Sequence, residues 1–243
     1  MILFSKTSEG ILKVNTSSEL VLGTIGKAKN TVDYSQNLDL VRNEEINLLS
    51  DYLGIDKKNI IILNQVHGDS IITVDALSLS DKRIFIDADG MITNSAEICL
   101  VIRTADCVPV FAFDTIQKTL GAVHSGWRGC RLNIAGNLIR KMKSDFKAKN
   151  NDLHIYILPS IGPESYSVNS DVASFFEKDI LIEENILYCN LWTNIERSIT
   201  EEGVPKTNIH QSGICTYIAN MDYFSYRRKD TGRNLNFGYI INK

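Results

Sequence analysis

The 243-residue sequence predicts an α+β fold built as a single domain. Three observations lead there: β-branched, strand-like runs crowd the middle of the chain, helical periodicities fall between and after them, and the regular strand-helix alternation of a parallel sheet is missing. Helices covering a mixed sheet, or a pair of sheets, accommodate that order. The length allows one substantial core, and no internal repeat, low-complexity tract or long linker divides residues 1–243.

The first forty residues mix short apolar pieces with Ser, Thr, Asn and Gly, and read as strands and loops. Ile46, Leu49 and Leu53 recur at helical spacing, so a helix is expected over about 43–53, with Gly54 ending it. The stretch "NIIILNQVHGDSIITVD" gives two β-branched runs around a polar turn that holds His67 and Gly68. Two more strands, Ile98–Ile102 and Val108–Phe113, are broken by Thr104, Ala105, Asp106 and Cys107; Pro109 argues for a bend or a sheet edge, having no N–H to give a ladder. "TLGAVH" is a short strand ending on His124. After Gly126 and Gly129, the residues Leu132, Ala135, Leu138, Ile139, Met142 and Phe146 keep the 3.6 period of a helix of about 15 residues. "LHIYIL" is a strand, "SDVASFFEKD" a short helix capped by Ser170 or Asp171, and Leu191–Glu202 a further helix.

A hydrophobic share of 44% with 23% charged residues is that of an ordinary globular protein. The net charge of -3 advertises no basic surface, so nucleic acid is not an expected partner. Residues 1–10 lack the basic and apolar regions of a secretory signal, and no run reaches the roughly 20 apolar residues of a membrane span. A cytoplasmic protein without membrane contact is expected. Cys99, Cys107, Cys130, Cys189 and Cys215 are widely spaced with no Cys-x-x-Cys pair, which points to reduced thiols and neither a disulfide framework nor a zinc ribbon.

His67, Cys107 and His124 share one local setting: each ends an apolar strand-like run, beside Gly or Asp, before a turn. If those strand ends converge, two imidazoles and a thiolate suit zinc and leave its fourth position open for water or substrate. The same groups suit a Cys107 nucleophile activated by His124 or His67, with Asp106 as orienter. A non-catalytic zinc module is the third reading, favoured if Cys130 closes the coordination shell. In "HSGWRG", Gly126 and Gly129 permit close backbone approach, Arg128 adds a planar cation, and the following helix would aim free N–H groups at an anion beside His124. "YFSYRRKDTGR" crowds Tyr223, Phe224, Tyr226, Arg227, Arg228 and Arg233, which can stack on a planar base and meet an anion.

The motifs "NQVHG", "DADGMIT", "TADCVPV", "GAVHSGWRG", "IGPESYSV", "CTY" and "FSYRRKDTGR", in this order, resemble the laccase-domain proteins. That family was once labelled multicopper polyphenol oxidoreductases and is now regarded as purine nucleoside phosphorylases. The resemblance implies a four-layer αββα sandwich, two central mixed β-sheets flanked by helices, with zinc held by His67, Cys107 and His124. It also implies phosphorolysis of adenosine, inosine, guanosine and methylthioadenosine, and deamination of adenosine at the same site. Nucleosides and phosphate are then the partners, and a homodimer is left open. Asp106 is carried over as a proton-transfer or supporting residue, and Gln65, Ser125, Arg128, Tyr226, Arg227 and Arg233 as substrate-binding candidates. A multicopper oxidase needs around ten histidines, whereas this chain has His67, His124, His154 and His210. A single copper in the same donor set, oxidising phenols, is the minor alternative. The chain departs from the family pattern at "FSKTSEG", with Lys6 and a solitary Gly10, and at Asn43-Glu44.

Overall fold

The computed structural model describes residues 3–16, 19–75, 85–96 and 98–241. Among them the strands form two six-stranded sheets and a three-stranded ribbon. The first sheet has the spatial order β1 (Phe4–Lys6), β2 (Leu12–Val14), β3 (Leu20–Ile25), β15 (Asn234–Ile240), β7 (Cys99–Thr104) and β4 (Ile60–Ile62). Its pairs are antiparallel except β4 with β7. The second sheet runs β14 (Ile209–Gln211), β10 (Leu153–Ile157), β8 (Val108–Asp114), β9 (Thr119–Ser125), β6 (Gly90–Thr93) and β5 (Ile71–Thr73), with parallel pairs only at its two edges. Both sheets are therefore mixed. The ribbon consists of β11 (Ser167–Val168), β13 (Ile186–Cys189) and β12 (Ile180–Glu183).

Strand alternation explains the layers. Along β8, Phe111 and Phe113 point to one face, where they share a buried cluster with Leu22, Leu100 and Ile102 of the first sheet. Val110 and Ala112 point to the other, against Leu138, Ile139 and Met142 of α3 (Ile134–Phe146) and Ile195 and Ile199 of α5 (Leu191–Glu201). A strand buried on both faces has no polar side, hence its continuous apolar sequence. On the outer face of the first sheet, α1 (Leu38–Leu53) packs Ile46 and Leu49 against Ile60, Ile62, Val101 and Phe237. The order helix, sheet, sheet, helix is the expected αββα sandwich.

Four local expectations are corrected. Helix α1 starts five residues early, at Leu38, because Asn37 caps it by accepting from the Leu40 N–H. Its first turn is exposed and so carries no apolar period. Pro109 lies in β8 at the centre of the second sheet, not at a bend or edge. The ladder tolerates it because pairing with β10 ends there: the Leu158 N–H donates to the Pro109 carbonyl, and no N–H is needed in return. The periodic helix after Gly129 begins at Ile134, and a five-residue helix, α2 (Trp127–Arg131), precedes it. Asn133, in a left-handed conformation at φ 58°, separates the two and caps α3 through the Gly136 N–H. The short helix α4 (Ser170–Ala173) is capped by neither Ser170 nor Asp171 but by Asn169, which accepts from the Val172 N–H.

Candidate metal centre

The chain crosses from the first sheet to the second between β4 and β5, and again between β7 and β8. The first crossing carries His67 and the second Cys107, while His124 sits near the end of β9. Their donor atoms lie within 4.8 Å of one another. The two imidazoles meet edge to face, with centroids 4.8 Å apart. His124 is buried, Cys107 half-buried and His67 exposed, so the triad is closed at its back and open at its front. Gly126 is required behind it: a Cβ there would lie 2.8 Å from the Cys107 Sγ.

Two residues here hold left-handed backbone that a side chain disfavours, His67 at φ 62° and Asp106 at φ 90°. Each is over-determined by a buried carboxylate. Asp89 accepts from the backbone N–H groups of Val66, His67 and Gly68 at 3.1, 3.0 and 2.6 Å, and from the His124 ring through Nδ1 at 2.8 Å. It thereby ties the His67 loop and the His124 ring to one group. The Asp106 carboxylate accepts from Thr216 Oγ1 at 2.7 Å, Ser225 Oγ at 3.0 Å and the Arg227 N–H at 2.7 Å, which docks the segment carrying Tyr226 and Arg227 beside Cys107.

Burial alone would raise the Cys107 thiol, but the charge and hydrogen bond of His124, and then those of His67, pull it below its ordinary value. His124 moves the opposite way: burial favours the neutral ring, yet the Cys107 thiolate and Asp89 raise its pKa. A thiolate and two imidazoles, one of them braced at its far nitrogen by a carboxylate, fit a borderline-soft divalent ion. Cys130 is not a fourth donor. Its Sγ is directed at the Ser125 carbonyl, 3.8 Å away, which leaves the fourth corner to the cavity.

The open side faces a cavity of about 660 Å³. Gln65, Asp106, Arg128, Tyr226, Arg227 and Arg233 line it. Ser125 does not; its Oγ is buried without a hydrogen-bond partner. The Gln65 amide bridges to β7, accepting from the Arg103 N–H at 2.8 Å and donating to the Arg103 carbonyl at 2.9 Å. Sequence reasoning missed Asp89, Arg42 and Arg103, and with them Glu45, which is buried against Arg103.

Residues 28–241 match the family model described as multi-copper polyphenol oxidoreductase laccase. The chain belongs to that family. A purine nucleoside phosphorylase of Clostridium acetobutylicum is 30% identical over 219 residues, covering 89% of each chain. One from Rickettsia conorii is 34% identical over 180 residues, 70% of this chain and 71% of the relative. Among solved structures, YlmD from Geobacillus stearothermophilus superposes with a TM-score of 0.89 at 23% identity over 99% of each chain, and the Bacillus licheniformis hypothetical protein YfiH with 0.86 at 22% over all of both. These likenesses establish the fold. In this family member the remaining histidines lie away from the triad, on β10 and β14, where His154 Nδ1 and His210 Nε2 are 3.3 Å apart. No helix among the described residues is long and apolar enough to cross a membrane.

Proposed function

We propose that this family member is a zinc-dependent purine nucleoside phosphorylase acting on adenosine, inosine, guanosine and methylthioadenosine, and that it deaminates adenosine at the same site. The reading draws on the names of the relatives and on one observation above all. His67, Cys107 and His124 converge at the wall of a cavity whose lining holds arginines and aromatic rings.

Zinc held by those three side chains would supply Lewis acidity beside the cavity. The other work falls to the chain itself. Asp89 fixes the His124 ring so that Nε2 faces inward. Tyr166 and Tyr226 offer faces for a planar base, the Trp127 ring being taken up by Arg128 and Phe175. Arginines in the cavity lining supply cationic donors for an anionic co-substrate. In phosphorolysis a phosphate oxygen bonds to the anomeric carbon while the bond to the base breaks, and the base leaves with a proton. In deamination the oxygen of water replaces the amino group, which leaves as ammonia. Both oxygens of Asp106 are engaged by the 216–227 segment, so its part in this scheme is to hold Tyr226 and Arg227 in place.

A second reading is favoured by the same geometry. Asp89, in place of the expected Asp106, forms with His124 and Cys107 a carboxylate, imidazole and thiol series that can activate a cysteine nucleophile for amide or ester hydrolysis. It requires full activity in chelator and alkylation of Cys107 in metal-free protein. The deciding experiment incubates wild type and His124→Ala with adenosine, with and without phosphate, and separates the products by chromatography. Adenine that appears only with phosphate supports phosphorolysis, and inosine formed without phosphate supports deamination. Absence of both from metal-loaded wild type removes the proposal.

A further inference from the structure

Among the described residues the cavity wall carries five arginines, Arg42, Arg103, Arg128, Arg227 and Arg233, against a single carboxylate, Asp106. Their surroundings divide them. Arg128 is exposed and lies over the Trp127 ring with its guanidinium carbon 4.5 Å from the centroid. Arg227 is exposed and clamped through Nη1 to the carbonyl and hydroxyl of Ser167 at 3.0 and 2.9 Å. Arg42 and Arg103 are different, their side chains being only 6% and 14% exposed.

These two buried guanidiniums are incompletely satisfied. Arg42 donates through Nη2 to Asn64 Oδ1 at 2.6 Å, but its Nε is buried with no acceptor. Arg103 meets Glu45 through Nε alone, at 2.8 Å, and its terminal nitrogens find no acceptor among the described residues. Glu45 is fully buried and is held in turn by the Tyr34 hydroxyl at 3.0 Å. Arg233 anchors its Nη1 on the carbonyls of Thr231 and Gly232, both at 2.9 Å, and leaves its other nitrogens to the cavity. Three guanidiniums therefore share one buried carboxylate; the exposed Asp39 stands 3.8 Å from Arg42 Nη1 and is the other anion paired with them among the described residues. Burial and then the charge of Arg103 push the Arg42 pKa down, as crowding among cations short of an anion must. Leaving cations buried and underpaired is costly, and a fork of rigid N–H donors matches the oxygens of a tetrahedral anion.

We propose that Arg42, Arg103 and Arg233 form a phosphate subsite on the α1 side of the cavity, with Glu45 positioning Arg103, and that the exposed Arg128 is not its main determinant. The assignment rests on the reading of the chain as an enzyme of phosphate and nucleosides, but binding tests it apart from turnover. The chemistry recognised is a phosphate dianion, free or carried as the 5′-phosphate of a nucleotide.

The experiment is calorimetric titration of the metal-loaded full chain with inorganic phosphate, adenosine and adenosine monophosphate. The variants are Arg42→Gln, Arg128→Gln and the double variant Glu45→Gln with Arg103→Gln, which removes both members of the buried pair so that no lone charge unfolds the chain. Thermal melts confirm that each folds. Phosphate should bind wild type and weaken about tenfold to a hundredfold in Arg42→Gln and in the double variant, the loss of charge-assisted hydrogen bonds, with a smaller change in Arg128→Gln. Monophosphate binding tighter than adenosine and competing with phosphate places a nucleotide's phosphate in the subsite; monophosphate binding no tighter than adenosine assigns it to free phosphate. Unchanged phosphate affinity in the folded Arg42 and double variants, or a loss confined to Arg128→Gln, overturns the inference. Arginine-dependent phosphate binding without phosphorolysis keeps the subsite and removes the enzymatic reading, whereas phosphorolysis indifferent to these arginines does the reverse.

Discussion

At the scale of single residues, Asp89 organises the centre although it is not a donor in it. One fully buried carboxylate receives three consecutive backbone N–H groups and one imidazole, so the His67 loop and the His124 ring move together or not at all. Asp89→Asn keeps the shape and removes the charge. Zinc affinity, measured in competition with a chromophoric chelator, should fall about 10- to 100-fold while the circular dichroism spectrum is retained; unchanged affinity would show the brace to be unnecessary. The three candidate donors themselves were legible in the sequence, since each breaks an apolar run where a strand ends. Asp89 was not, because nothing in "DADG" separates it from its neighbour Asp87. Only the fold shows that Asp87 is exposed and Asp89 buried.

Among the elements, the ones read correctly from sequence were those whose buried face is wholly apolar, such as α5 with Leu191, Ile195 and Ile199. Helix α1 was truncated in that reading because its first turn is exposed and the buried face that follows opens with Arg42, which interrupts the apolar period and lines the cavity. A charged residue at a helix-buried register was the available signal. Helix α5 shows how a carboxylate fixes an element: buried Asp179 accepts from Thr193 Oγ1 at 3.0 Å, Asn194 Nδ2 at 3.0 Å and Arg197 Nη1 at 2.8 Å. Asp179→Asn should cost about 2 kcal/mol at neutral pH, measured by urea denaturation. Burial raises this carboxyl's pKa, but the hydrogen bonds from Arg197, Asn194 and Thr193 outweigh it and hold it below its ordinary value. Its contribution is therefore present above the unfolded value, near pH 4, and disappears as pH falls through the folded value. The stability gap between variant and wild type should narrow at pH 3; a constant gap would mean that the ionised form does not carry the effect.

For the whole molecule, the two sheets are joined by the apolar layer around Phe111 and Phe113 and, at one end, by the crossings that bring His67 and Cys107 to His124. An α+β class was readable from the order of apolar runs, whereas the pairing of the last strand, β15, between β3 and β7 was not, because no local pattern encodes a contact across the length of the chain. A metal bound at the crossings acts on the folded state as a ligand, so a chelator should lower the melting temperature of wild type and leave His124→Ala almost unaffected. Equal shifts in both would place the stabilising ion elsewhere. The most direct test of the centre is elemental analysis of the purified full chain beside His124→Ala. One equivalent of zinc per wild-type chain, absent from the variant, is the predicted result; wild type without metal, or a variant that retains a full equivalent, would contradict it.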